Sequence, residues 1–144
     1  MIESITSKGY AAEALVIADL ISKGIVPCKP EIPTTTFDLI AVHDNEIRKI
    51  QIKGCTPKEG GKLLVDVRRS KARDRSYSRE SFDVLAVVNL ETKEVAYIDY
   101  ESLGCPSQIT LRTSRPRMNG YGKERQPKLF SEFLDFPSKK APVA

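Results

Sequence analysis

The chain has 144 residues, 40% hydrophobic and 29% charged, with a net charge of +4. That length suits a single domain with a real core and leaves no room for two full ones. No apolar run approaches the roughly 18 to 20 residues that span a membrane, and MIESITSKGY is polar where a signal peptide needs an apolar core, so a cytoplasmic location is expected.

The segment Ser7 to Ile21 reads as a helix, with Ser7 as its N-cap and Gly24 just past its end. Tyr10, Ala11, Ala14, Ala18 and Ile21 recur at three- and four-residue spacing, which predicts one apolar face. Pro27, Pro30 and Pro33 keep the next segment extended, with room for a short edge strand. Strands are predicted over 37–42, 47–53, 62–67, 82–89 and 95–100, with a shorter one over 109–113. A short helix over 128–136 closes the pattern. The expected fold is α/β (α+β): a mixed central sheet of about five strands flanked by helices. One domain is expected over 1–136, followed by a flexible basic tail over 137–144.

Cys28, Cys55 and Cys105 are odd in number and far apart, so neither a zinc site nor a disulfide framework is expected. The single His43 beside Asp44 and Asn45 reads as a solvated turn residue. One histidine also argues against histidine-based hydrolysis.

The stretch FDLIAVHDNEIRKIQIKG, Phe37 to Gly54, reads as a hairpin with acid, amide and ammonium groups near its open end. A two-residue turn at Asp44–Asn45 sets His43 opposite Glu46 and Asp38 opposite Gln51. A four-residue loop gives the same register; an odd loop or a bulge spoils it. Lys53 then shares the face of Gln51, since strand side chains alternate. Glu13 is the lone acid in the run from Gly9 to Ala18, on the flank of the helix's apolar face, whereas Asp19 reads as solvated. Two interpretations follow. In one, Asp38 and Lys53 form a structural ion pair and Glu13 pairs with a nearby lysine. In the other, two carboxylates, an amide oxygen and a lysine form a hard-cation site for phosphodiester hydrolysis.

The order Glu13 on a helix, Asp38 on a strand and Gln51-Ile52-Lys53 on the next resembles the PD-(D/E)XK nuclease superfamily, with its restriction-endonuclease-like core. KGYAAEALVIADLISKG resembles the first helix of its Holliday-junction resolvases and small homing nucleases, and SFDVLAVVNLETKEVAYIDYESL resembles its later hairpin. The resemblance covers about Gly9 to Leu103. It implies a Mg²⁺- or Mn²⁺-dependent endonuclease acting on double-stranded DNA, with no organic cofactor and no membrane partner. Asp38 would be the main metal ligand, Glu13 a second, Gln51 a ligand or water-positioning group, the Ile52 carbonyl a backbone ligand, and Lys53 an aid to the nucleophile.

Two departures bear on that reading. Thr36 and Phe37 precede Asp38 where the family pattern has proline, and Gln51 stands where it has an acid. The loss of a charge there fits a catalytically inert nucleic-acid-binding module. The Q-x-K variant also resembles the homing endonucleases of bacterial group I introns, which makes a sequence-specific, intron-encoded enzyme the leading expectation and a junction resolvase the alternative. One active site per chain implies a homo-oligomer, a dimer or tetramer, to cut both strands.

Two stretches, 68–80 and 112–128, each carry six of the 23 basic residues. Arginine interleaved with Ser and Tyr suits phosphate contact and base reading. Arg68, Arg69, Lys71, Arg73, Arg75, Tyr77 and Arg79, and Arg112, Arg115, Arg117, Lys123 and Arg125, are therefore the expected DNA contacts.

Overall fold

The computed structural model describes residues 5–34, 36–67, 81–115 and 128–138. Helix α1 spans Ile5–Ser22. It begins before Ser7, which lies in the first turn instead of capping it. Gly24 takes the left-handed conformation expected of it (φ 76°), and Ile25 N–H closes the end on the Leu20 carbonyl at 3.0 Å.

The buried face of α1 is Ala12, Val16 and Leu20, with Leu15 and Ile17 half-buried beside it. The predicted face is wrong: Tyr10, Ala14, Ala18 and Ile21 are exposed, and Ala11 is half-buried. The helix is apolar on most sides, so periodicity alone does not choose. The sheet surface does: Gly54 admits Ala12 there, and the Val16 and Leu20 buried on the same face contribute about 1.5–3 kcal/mol each.

Strands β1 (Val26–Cys28), β2 (Leu39–His43), β3 (Glu46–Cys55), β5 (Val84–Asn89) and β6 (Glu94–Asp99) form one mixed sheet in the order β1-β2-β3-β5-β6. Only the β3–β5 pairing is parallel. Strand β1, with Pro27 in it, takes an edge, where a missing N–H costs no ladder bond. Strands β4 (Lys62–Asp66) and β7 (Gln108–Arg112) form a separate antiparallel pair. The strand predicted over 62–67 thus lies in this small pair, and the short edge strand β1 is the fifth of the central sheet.

The β2–β3 hairpin follows the expected register. Asp44 and Asn45 both have positive φ, 49° and 65°, as a two-residue I′ turn requires. His43 pairs with Glu46 and Leu39 with Ile50, and the next bond, Asp38 N–H to the Ile50 carbonyl, is 2.8 Å. His43 is half-buried, with Nε2 3.3 Å from the Asp44 carboxylate.

Side-chain alternation divides the core. Ile50, Ile52, Val84, Ala86 and Val88 pack against α1, while Leu85, Val87, Ala96 and Ile98 pack against Leu63, Val65 and Leu111 of the small sheet and against Phe130. Strand β5 is buried along its whole length, as a central strand covered on both faces must be. The predicted closing helix is a 3₁₀ turn, Phe130–Phe133. Among the described residues α1 is the only α-helix, and none is long and apolar enough to cross a membrane.

Two polar contacts tie distant elements together. Asp19 is not simply solvated: Tyr97 donates its hydroxyl to it at 2.6 Å, and Lys23 pairs with it at 2.9 Å. Burial and the Asp19 contact push the Tyr97 phenol far above its ordinary range. The buried Arg48 donates to the Pro137 carbonyl at 2.9 Å, and Phe136 packs edge-on to Tyr97 at 5.3 Å. The start of the expected tail is therefore anchored at Pro137.

Gly54 marks where α1 lies closest to β3. A Cβ there would stand 3.0 Å from Ala12 Cβ and 3.3 Å from Leu90 Cδ1. Gly54→Ala should destabilise the fold by about 1–3 kcal/mol, as overpacked positions do, and should also slow any reaction that uses Glu13, one residue from Ala12. Denaturant melts and rates on the same preparation check both; an unchanged melt would show that α1 yields freely.

Candidate active site

The open end of the hairpin faces the N-terminal half of α1. A cleft of about 310 Å³ lies between them, lined by Gly9, Tyr10, Ala12, Glu13, Asp38, Gln51, Ile52 and Gly54. Four of the five predicted catalytic or ligand positions, Glu13, Asp38, Gln51 and Ile52, thus line one cleft. Lys53 does not line this cleft.

Asp38 organises the site. Its Oδ2 accepts from the Ile52 N–H at 2.8 Å and from Gln51 Nε2 at 3.0 Å. Its Oδ1 takes no hydrogen bond among the described residues. Burial pushes the Asp38 carboxyl above the usual carboxylate range. The Ile52 N–H opposes that shift, the Glu13 charge adds to it, and Lys53 and Lys29 oppose it. Gln51 is buried, and its Nε2 also points at the Ile52 carbonyl, 3.4 Å away.

Glu13 Oε1 is buried with no aligned hydrogen-bond donor among the described residues; Lys29 Nζ lies 3.0 Å away as an ion-pair partner. That contact raises the Lys29 pKa. The expectation that Glu13 meets a lysine is therefore met, but by a residue the sequence reading did not single out. Lys29 sits between Pro27 and Pro30. The only hint was a lysine held in an extended segment by flanking prolines.

The Asp38–Lys53 ion pair of the structural interpretation does not form among the described residues. Among the described residues Lys53 makes no ion pair, and its charge acts on Asp38 and Cys55 from a distance. Burial pushes the Cys55 thiol up to about 11, which leaves it protonated and inert near neutral pH.

This donor set suits a hard divalent cation. It is all oxygen: two carboxylates, one amide and one backbone carbonyl. The poorly satisfied Glu13 Oε1 and the free Asp38 Oδ1 are the two ligand atoms such an ion needs first. The set is also low in charge, and no group of three or more His, Cys, Asp or Glu side chains gathers among the described residues. A bound phosphodiester is the natural source of the remaining negative charge.

A family model described as PD-(D/E)XK endonuclease matches residues 4–134. The chain belongs to this family. A comparison with curated proteins finds no match. Among solved structures, a bacterial homing endonuclease, I-Ssp6803I, matches with a TM-score of 0.69 and 23% identity, covering 83% of this chain and 85% of that one. The likeness confirms the restriction-endonuclease-like core. In this PD-(D/E)XK endonuclease, Asp38 immediately precedes strand β2, and Gln51-Ile52-Lys53 lies on β3. Nucleases of the family generally use divalent metals.

Of the expected DNA contacts, only Arg112 and Arg115 fall within the described residues. Arg68, Arg69, Lys71, Arg73, Arg75, Tyr77, Arg79, Arg117, Lys123 and Arg125 lie outside them. Arg112 stands directly across from Lys62 in the β4–β7 pair, Lys62 bridges to Lys58, and Arg112 N–H donates to the Lys128 carbonyl at 2.9 Å. Lys58 and Lys62 fall outside both basic stretches, yet lie beside Arg112.

Proposed function

We propose that this endonuclease is a metal-dependent homing endonuclease that cuts double-stranded DNA at a specific site. The observation that carries the reading is the convergence of Glu13, Asp38, Gln51 and the Ile52 carbonyl on one cleft, with Asp38 fixed by the Ile52 N–H and Gln51. These four groups would hold Mg²⁺ or Mn²⁺, which supplies Lewis-acid polarisation of the phosphate and a bound water of lowered pKa. Asp38 and Glu13 supply the negative charge. Gln51 turns its amide oxygen inward to act as a ligand, a half-turn from the orientation in which Nε2 faces Asp38. Lys53 lies outside the cleft lining and makes no ion pair among the described residues, so its ammonium would be able to turn toward a bound phosphate, orient the attacking water and offset the charge that develops there. The Arg112–Lys62 end of the small sheet holds the DNA backbone, and a homo-oligomer brings a second site to the other strand.

The test is cleavage of a pooled genomic DNA library by the purified protein with Mg²⁺ or Mn²⁺, with chelator as control. Recurrent double-strand breaks at one sequence support the homing reading, and neighbouring intron sequence supports its intron-encoded form. Preferential cutting of a synthetic four-way junction would make the enzyme a junction resolvase instead. One observation favours a second reading, an inert DNA-binding module: Gln51 presents its donor side, Nε2, to Asp38 Oδ2 and the Ile52 carbonyl. Steeply salt-dependent DNA binding with no metal-dependent nicking would establish it.

A further inference from the structure

Lys29 belongs to no motif, yet it touches the site. Its side chain is 60% exposed, against 19% for Glu13. A second cleft, of about 210 Å³, adjoins the first and is lined by Tyr10, Glu13, Lys29, Pro30, Pro33, Thr34, Phe37 and Asp38. Tyr10, Glu13 and Asp38 line both clefts. The two carboxylates therefore form a shared ridge, with Gln51 on one side and Lys29 on the other.

We propose that Lys29 competes with the divalent cation for Glu13 and, when substrate and metal bind, moves onto a DNA backbone phosphate in the second cleft. The inference rests on the metal-nuclease reading above. A buried carboxylate oxygen without a partner is costly, and the Lys29 ammonium relieves that cost. An ammonium 3.0 Å from Glu13 Oε1 and a divalent ion ligated by the same oxygen repel each other across a short distance. One of them must leave. Lys29 is the mobile partner, with a flexible four-carbon stem, most of it in solvent.

Its destination is set by the same geometry. A strand that lays one phosphate over the Glu13–Asp38 ridge carries its neighbouring phosphate into the second cleft. There Lys29 is the cation among the lining residues, and Tyr10, 66% exposed, offers a ring at the rim for a sugar or base to rest on. The exchange gives each charge a partner in both states. Without metal, Lys29 offsets Glu13, so two carboxylates do not repel incoming DNA together. With metal and DNA, the ion offsets the acids and Lys29 offsets a phosphate.

The experiment compares the full-length wild type with Lys29→Met and Lys29→Arg. In calorimetric titrations without DNA, Lys29→Met should bind Mn²⁺ about three- to fivefold tighter, the scale of one partly exposed ion pair. With a divalent ion and DNA both bound, measured with Ca²⁺ in place of Mn²⁺ to limit cutting, the same variant should bind duplex DNA more weakly, with a salt slope smaller by about one. Lys29→Arg should restore both values. In a Glu13→Gln background, Lys29→Met should leave Mn²⁺ affinity unchanged, since the contested oxygen has lost its charge. Unchanged or weaker Mn²⁺ binding by Lys29→Met overturns the proposal, and so does an unchanged salt slope. Absence of Mn²⁺ binding by the wild type even with duplex DNA present overturns the metal reading itself, and this proposal with it.

Discussion

Asp38→Asn is expected to end cleavage and to stabilise the fold at the same time. Asp38 is the acid that contacts both the Ile52 N–H and Gln51, so no other group replaces it as the central ligand. The loss in single-turnover rate should exceed about 100-fold, the upper range for groups that merely support a metal ligand. The gain in stability follows from the raised pKa. Burial lifts the folded-state value above the unfolded one, with Glu13 adding to the shift. The stability that Asp38 contributes is therefore complete below pH about 3.9, its unfolded value, and is lost as pH rises through the folded value. Asparagine removes the ionised form, while its carbonyl still accepts from the Ile52 N–H. The variant should melt above wild type at pH 8 and converge with it in acid. Saturating Mn²⁺ should close the gap at pH 8 by stabilising the wild type alone. If the variant melts lower at pH 8, Asp38 is chiefly a structural bracket between β2 and β3. Lys53→Met separates the two effects: it should also stop cleavage, but without the stability gain, because Lys53 is one of the charges that hold the Asp38 pKa down.

The hairpin was readable in the sequence because local chemistry dictates it. Asp44 and Asn45 tolerate positive φ, and two such residues between apolar runs fix which residues oppose one another. Asp38 beside Gln51 followed from that register alone. The buried face of α1 was not readable, because Tyr10, Ala14, Ala18 and Ile21 repeat as well as Ala12, Val16 and Leu20 do. Only the shape of the sheet surface, with Gly54 admitting Ala12, separates the two. The place of β4 was equally hidden. Its alternating burial fits the edge of a large sheet or half of a small one, and the choice depends on its pairing with the distant β7. Lys29 was the largest omission at the site. Its contact with Glu13 arises from β1 lying across β2, which brings the following residues beside α1, and no spacing rule connects position 29 to position 13.

Gln51→Glu should make the protein less stable without metal and bind metal more tightly. In the wild type the amide donates to Asp38 Oδ2 at 3.0 Å, which partly offsets the burial of that oxygen. A glutamate there replaces a donor with a second anion. The Asp38 carboxyl loses one partner and gains a repulsive neighbour, a change worth about 1–3 kcal/mol for a buried group left unsatisfied. The same anion adds the charge that the two-carboxylate set lacks, so Mn²⁺ affinity should rise at least about tenfold. At saturating metal a tenfold gain returns about 1.4 kcal/mol, so the variant's Mn²⁺-induced melting shift should exceed that of the wild type. Melts with chelator and with Mn²⁺ measure both terms, and cleavage assays on the same samples decide what Gln51 is for. If the wild type already cuts and Gln51→Glu only widens the range of metal concentrations that support cutting, the glutamine tunes the site. It keeps the acids from repelling each other and defers strong metal binding until DNA brings its phosphate. If only the variant cuts, the glutamine has disabled an otherwise intact nuclease, and Asp38, Glu13 and Lys53 persist around it as a DNA-binding surface.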